Sequence, residues 1–237
     1  MTKVLLITCD EGAGHNWAAT SPAIEALLEP AFDLSVVRNL GELVSSDIAG
    51  RFDAIVLHGI FGRNHAAEEA IERYVHAGRG LVVVHIASAA FEGSARFRRL
   101  VGRVWEYGGY PSEPFTSSHP PRGAFRIDIV DPKHPITAGM TAFTVEDDER
   151  YQDLLVAPDT RTHTLAEATL AGRTEPIAWI VLPPEGGRVF HLTLGHDAPT
   201  YSDACFRDLL LKGTRWAAGE GEIGAPRQQP RGARHAH

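Results

Sequence analysis

Short, wholly apolar runs alternate with helix-patterned stretches through the first hundred residues, and they leave few folds open to this chain. Val4 to Cys9, Leu34 to Val37 and Ala54 to Leu57 read as strands, and the run GLVVVHIASAAF carries a fourth that ends in His85. Between them the spacing predicts three helices. One opens with Ser21 and Pro22 as cap and first residue and runs through Leu28. Another is capped by Asn64, buries Ala67, Ile71, Tyr74 and Val75, and stops at Gly78. The third spans Ser94 to Val101. Strands without a polar face must be covered on both sides, which means a mostly parallel sheet with helices on both faces, a flavodoxin-like α/β fold. In such sheets ligands gather at the carboxyl ends of the strands, where Asp10 to His15, His58 and His85 stand.

The second half is less regular. Residues 102–122 hold three Gly and four Pro and read as a long loop with one short strand at most. Phe125 to Val130, Thr160 to Ala168, Ile177 to Leu182 and Gly187 to Leu194 pattern as strands, and Tyr201 to Trp216 as an amphipathic closing helix. From Gly219 the composition turns to Gly, Pro, Gln, Arg and His, so the expected organisation is one domain over 1–218 and a flexible tail over 219–237.

Charge and cysteine content narrow the function. Lys and Arg number 23 against 30 Asp and Glu, a net charge of −7 that lacks the basic footprint of a nucleic-acid or anionic-membrane protein. The N-terminus has the apolar run of neither a signal peptide nor a membrane span, so a cytoplasmic protein is expected. Cys9 and Cys205 form no disulfide framework, and Cys9 inside a strand and Cys205 on the last helix argue against a covalent thiol enzyme. The GAGHN loop lacks the third Gly of a dinucleotide fingerprint, because Trp17 occupies that place, and no P-loop is present. No nucleotide cofactor is expected.

Twelve His remain, more than a plain domain needs. His15, His58, His85, His119, His134, Glu149 and His196 fall in loops or at strand ends, though no pair shows a local metal motif such as HExxH. Singly, each can cap a turn or fill a core. Together, four or five of them at one edge of a sheet fit one shared site. Pro135 after His134 suggests a simple turn, and His163 reads as a surface residue.

The segments GRGLVVVHIASAAF, DPKHPITAG, DDERYQD, PIAWIV and GRVFHLTLGHDAPTYSDACFRDLLLKGTRWAAG, in this order, resemble the ThuA (trehalose-utilisation) family from the first strand to about Gly219. The resemblance implies a class I glutamine amidotransferase-like fold without the amidotransferase cysteine at the elbow, near Ile86 and Ala87 here. It also implies a role in carbohydrate metabolism by way of 3-keto-glycosides. Its recurrent polar positions appear as His15 with Asn16, His85, His119, Glu149 with Tyr151, and His196. The resemblance implies a divalent metal on His85, Glu149 and His196, and such mixed nitrogen and oxygen ligands suit Zn²⁺ or Mn²⁺. The stretch RVWEYGGYPSEPFTSS departs from family members, so the substrate loop does not carry over.

The expected function is therefore a metal-assisted lyase or hydrolase on a small-molecule sugar. His119 or His15 acts as base, and Asn16, Tyr151 and Asp197 bind hydroxyls. Trp105, with Tyr107, offers the ring a flat face. The alternative is a sugar-binding or accessory domain that turns nothing over. A homo-oligomer is expected, with Trp216 and the closing helix as a candidate contact.

Overall fold

The computed structural model describes residues 1–10, 14–45, 47–107 and 116–223; residues 11–13 and 46, the middle of the Gly- and Pro-rich stretch (108–115) and the tail from 224 lie outside them. The chain opens with β1 (Lys3–Thr8), α1 (Trp17–Leu28) and β2 (Asp33–Val37), followed by the short α2 (Gly41–Ser45) and α3 (Ile48–Arg51). Next come β3 (Ala54–His58), α4 (His65–His76), β4 (Gly80–Val84), α5 (Ala95–Val101) and β5 (Arg103–Val104). The second half holds β6 (Gly123–Ile129), β7 (Phe143–Asp148), β8 (Leu155–Val156), β9 (Thr162–Leu170), β10 (Arg173–Val181), β11 (Arg188–Leu192) and α6 (Ala204–Ala217). Two 3₁₀ turns, His85–Ala89 and Ala198–Ser202, follow β4 and precede α6.

The main sheet runs β2-β1-β3-β4-β11-β10-β9-β6-β7. Its first five strands pair parallel, and antiparallel pairs from β11 onward extend it. The parallel half follows from the pleat. Leu5, Ile7, Ile55, Leu57, Leu81 and Val83 face α4 and α5, while Val4, Leu6, Val56, Val82 and Val84 face α1 and α6. β9 and β10 turn at Ala171 and Gly172, both at positive φ, the backbone that a two-residue hairpin requires. The small β5–β8 pair is the short strand expected in the long loop.

Four features differ most from the sequence reading. α1 starts at Trp17, and Pro22 lies inside it. Ser21 does not cap the helix; its hydroxyl donates to the Cys9 carbonyl at 2.7 Å, tying α1 to the end of β1. The closing helix is two pieces. Asp197 caps the 3₁₀ turn, and Asp203 caps α6 by accepting from Cys205 N and Phe206 N. β7 has no counterpart in the expectation. Of the expected tail, Gly219 to Ile223 pack back on α6: Trp216 Nε1 donates to the Ile223 carbonyl at 3.1 Å.

The core also holds histidines that serve no pocket. His191 on β11 is wholly buried, stacks on Trp179 at 4.0 Å, and has no hydrogen-bond partner at either ring nitrogen among the described residues. Burial, then the nearby Arg103, lowers its pKa to about 3. His58 is also pushed to about 3, by burial and then His15. Unfolded, both take up a proton near the ordinary value of about 6.5. Their neutral burial therefore leaves stability intact above that pH and subtracts from it as pH falls toward 3. At pH 5 the two together should cost about 4 kcal/mol. His191→Phe keeps the stack and should remove about half of this loss in denaturant melts at pH 5 and 7.5. An unchanged difference between the two pH values would contradict the assignment.

Candidate metal centre

Four chain segments deliver one side chain each to the carboxyl edge of the parallel strands. The segment after β1 brings His15, the end of β4 brings His85, the residue after β7 is Glu149, and the loop after β11 brings His196. One ligand atom from each lies within 4.8 Å of all the others. His85 and Glu149 are buried, and His15 and His196 are half-buried toward solvent.

His85 is the first residue past β4 and has φ of +51°, in the left-handed region where a β-carbon is strained. This residue is the elbow. It opens the 3₁₀ turn that also holds Ile86 and Ala87, the residues near which the elbow is expected. Strained backbone of this kind persists only where the surroundings hold it, and it clusters at functional sites. His85→Gly should therefore be more stable than His85→Ala by about 1 kcal/mol, although both lose the imidazole. Equal stability in urea would mean that the elbow is not strained.

The hydrogen bonds set the tautomers. His85 Nδ1 lies 2.7 Å from the Thr193 carbonyl, which can only accept, so Nδ1 carries the proton and Nε2 a lone pair. That lone pair faces the Tyr151 hydroxyl at 3.0 Å, His15 Nε2 at 3.1 Å and Glu149 Oε2 at 3.5 Å. Burial, then the charge of His15, holds His85 neutral well below the usual histidine range. Glu149 Oε1 lies 3.1 Å from His196 Nδ1 and 3.4 Å from His119 Nε2. The His196 contact is close but lacks the angle of a hydrogen bond, so His196 Nδ1 has no hydrogen-bond partner among the described residues. Burial pushes the Glu149 carboxyl up, but His196, His119 and His15 outweigh it and hold the group below its ordinary value.

Asp148 holds this arrangement in place. It is 1% exposed. Its two oxygens accept from Glu149 N at 2.7 Å, Gly195 N at 2.9 Å, Thr200 Oγ1 at 3.0 Å and His196 N at 3.3 Å. Burial raises its pKa against these four donors. Beneath it, the Tyr201 hydroxyl donates to the Gly195 carbonyl at 3.0 Å and meets His58 Nε2 at 2.7 Å.

The expected residues sort as follows. His85, Glu149 and His196, named as ligands, stand together, and His15, named as an alternative base, stands among them. His119 is at the rim with its side chain 35% exposed, and its Nδ1 donates to the Pro120 carbonyl at 2.8 Å. Tyr151 is buried on His85. Asn16 is exposed at the N-terminus of α1. Asp197 has two structural duties, capping Ala198 N at 2.8 Å and facing Arg122 at 3.5 Å. The Trp105 ring is buried against Tyr151, His119 and Tyr107, so Tyr107, 51% exposed, presents the open aromatic surface. His58 lies below the site, and His134 is in a turn. His163, expected on the surface, pairs with Asp131 at 2.9 Å. Asp148 was missed, because a carboxylate that serves backbone N–H groups of a distant loop has no mark in the sequence.

The donor set fits a divalent transition metal. Ligand atoms about 2.1 Å from one ion lie roughly 3.0–3.5 Å apart. Three contacts fall in that range, 3.1 Å and 3.5 Å from His85 Nε2 to His15 Nε2 and Glu149 Oε2, and 3.1 Å from Glu149 Oε1 to His196 Nδ1, within a four-ligand set whose atoms lie within 4.8 Å of one another. A metal-binding His whose second nitrogen donates to a carbonyl is the arrangement seen at His85.

Comparison with known proteins agrees with this architecture. The ThuA family profile, described as trehalose utilisation, matches residues 3–217. A thua-like protein from Parabacteroides merdae is 25% identical, with a TM-score of 0.74 over 92% of this chain and 90% of that one. Another, from Bacteroides uniformis, is 16% identical, with a TM-score of 0.70 over 95% and 94%. The glutaminase domain of a Trypanosoma brucei CTPS shares the fold at 13% identity, with a TM-score of 0.53 over 94% and 96%. No curated protein matches the chain. Among the described residues, no helix is long and apolar enough to cross a membrane.

Proposed function

The chain belongs to the ThuA family and is a protein of carbohydrate utilisation, and from that premise we propose that it is a metal-assisted lyase or hydrolase of (3-keto-)glycosides in the cytoplasm. The observation that carries the reading is the convergence of His15, His85, Glu149 and His196 beside the exposed His119. Sugar binding alone needs amides, carboxylates and aromatic rings, and a set of four imidazoles around one carboxylate exceeds that need.

A 3-keto-glycoside has an acidic proton at C2, because the adjacent carbonyl takes up the charge. Bound Zn²⁺ or Mn²⁺ on His85, Glu149, His196 and His15 would supply a Lewis acid for that carbonyl oxygen. His119 supplies the base. With Nδ1–H committed to the Pro120 carbonyl, its Nε2 takes the C2 proton. As the C1–O bond breaks, a C1=C2 double bond forms, and the imidazolium returns the proton to the departing oxygen. Glu149, 3.4 Å from His119 Nε2, steadies the imidazolium in between. Tyr151 and Asn16 bind sugar hydroxyls, with Trp105 packed behind Tyr151.

The test is turnover of a 3-keto-glycoside in D₂O. Wild-type protein should release the aglycone, and deuterium should enter at C2 of recovered substrate. His119→Ala should slow turnover by roughly 10²–10⁴-fold at an unchanged melting temperature. Release of the aglycone together with a free 3-keto sugar, without exchange at C2, identifies the hydrolase. Binding without turnover would leave a sugar-binding domain and refute catalysis.

A further inference from the structure

Two residues past Glu149, the chain places a phenol on the one nitrogen through which His85 can hold an ion. Tyr151 is 1% exposed, and its ring packs on Trp105 and His85 at centroid distances of 4.5 Å and 4.9 Å. Its hydroxyl lies 3.0 Å from His85 Nε2 and has no other hydrogen-bond partner among the described residues. The direction of this bond is fixed from the far side of the imidazole. Nδ1 gives its proton to the Thr193 carbonyl at 2.7 Å, so the neutral ring presents only a lone pair at Nε2, and the phenol is the donor.

That lone pair serves one partner at a time. The bond from the Tyr151 hydroxyl and a metal bond from the same nitrogen exclude each other. An ion on His85 therefore takes the place of the phenol proton and leaves the hydroxyl without an acceptor. A buried tyrosine hydroxyl seeks a partner, and leaving one unpaired is costly. The nearest use for it is an oxygen of a molecule held beside the ion, which in the glycoside reading above is a sugar hydroxyl.

We propose that Tyr151 is the placeholder of the metal centre: its phenol covers His85 Nε2 while the site is empty, and becomes free to donate to a sugar oxygen once an ion binds. Binding is thereby ordered, ion before sugar. The sugar half of the proposal rests on the glycoside reading, and the ion half does not. A tyrosine that only braced the site would weaken metal binding when trimmed. A placeholder does the reverse, because trimming it removes a competitor.

The test is calorimetric titration of Zn²⁺ into chelator-treated wild type and Tyr151→Phe. The substitution removes one oxygen and keeps the ring on Trp105 and His85, so the fold should survive. Tyr151→Phe should bind Zn²⁺ more tightly by roughly 2–10-fold, the worth of one ordinary hydrogen bond. Its melting temperature should lie below that of wild type with chelator, and the gap should close with Zn²⁺. A measurement on wild type alone checks the same point: loading with Zn²⁺ should raise no tyrosinate absorbance, because the phenol leaves the nitrogen with its proton. In the zinc-loaded state, Tyr151→Phe should bind methyl α-D-glucoside several-fold more weakly than wild type does. Equal or weaker Zn²⁺ affinity in the variant overturns the placeholder, and so does a tyrosinate band in loaded wild type, which would make Tyr151 a ligand. A loaded variant that binds the sugar like wild type overturns the ordered release. Wild type that binds Zn²⁺ but no sugar overturns the glycoside reading, and the Zn²⁺ comparison still decides the placeholder. Wild type that takes up no Zn²⁺ overturns the placeholder together with the metal centre.

Discussion

Alanine in place of Asp148 is expected to cost about 3–5 kcal/mol of stability and to disperse the metal-ligand set in the same step. The carboxylate is 1% exposed and accepts four hydrogen bonds, three of them from backbone N–H groups. Its removal strands those donors in a space water does not reach, at about 1–3 kcal/mol each before the loop relaxes. Two of the stranded groups are the backbones of Glu149 and His196, so ligand geometry goes with the stability. Urea denaturation measures the first effect, and metal titration of the surviving folded fraction measures the second. A loss below about 1 kcal/mol would show that the loop after β11 holds its position without Asp148.

Glu149→Gln is the sharper test of the site itself. The substitution preserves volume and leaves Asp148 in place, so the fold should survive. It removes the one carboxylate among the four candidate ligands. Affinity for Zn²⁺ or Mn²⁺ should fall by roughly a hundredfold or more, because a neutral amide is a poor replacement for an anionic ligand. His119 and His196 also lose the charge they face at 3.4 Å and 3.1 Å. Wild-type metal affinity in this variant would mean that the imidazoles alone, or another site, hold the ion.

The parts of the fold that could be read in the sequence are those with one physical solution. β1, β3 and β4 are apolar on both faces at every position except Lys3, Thr8 and His58 at the strand ends, so only a sheet covered on both sides fits them. β7 could not be read this way. FTVEDD ends in charges and lies at the sheet edge, where one side of the strand meets solvent. Ser21 and Pro22 look like a helix start because that pair usually is one. Here the Ser21 hydroxyl is drawn to the Cys9 carbonyl by a tertiary contact that local pattern does not encode. The site followed the same division. His15, His85, Glu149 and His196 lie far apart in sequence, without ligand spacing, and were singled out through strand ends and family resemblance. The elbow at His85 left no signal, since a non-glycine residue held at φ of +51° is imposed by its surroundings. Asp148 acts through backbone groups some fifty residues away, and no pattern of side chains announces that.

The most direct measurement is metal content of protein prepared without a His tag, followed by melting scans with and without chelator for wild type and Glu149→Gln. Wild type should carry, or take up from added Zn²⁺ or Mn²⁺, close to one ion per chain, and chelator should lower its melting temperature while leaving Glu149→Gln unmoved. A wild-type protein that holds no ion, takes up none and melts identically with chelator would contradict a metal centre at His15, His85, Glu149 and His196.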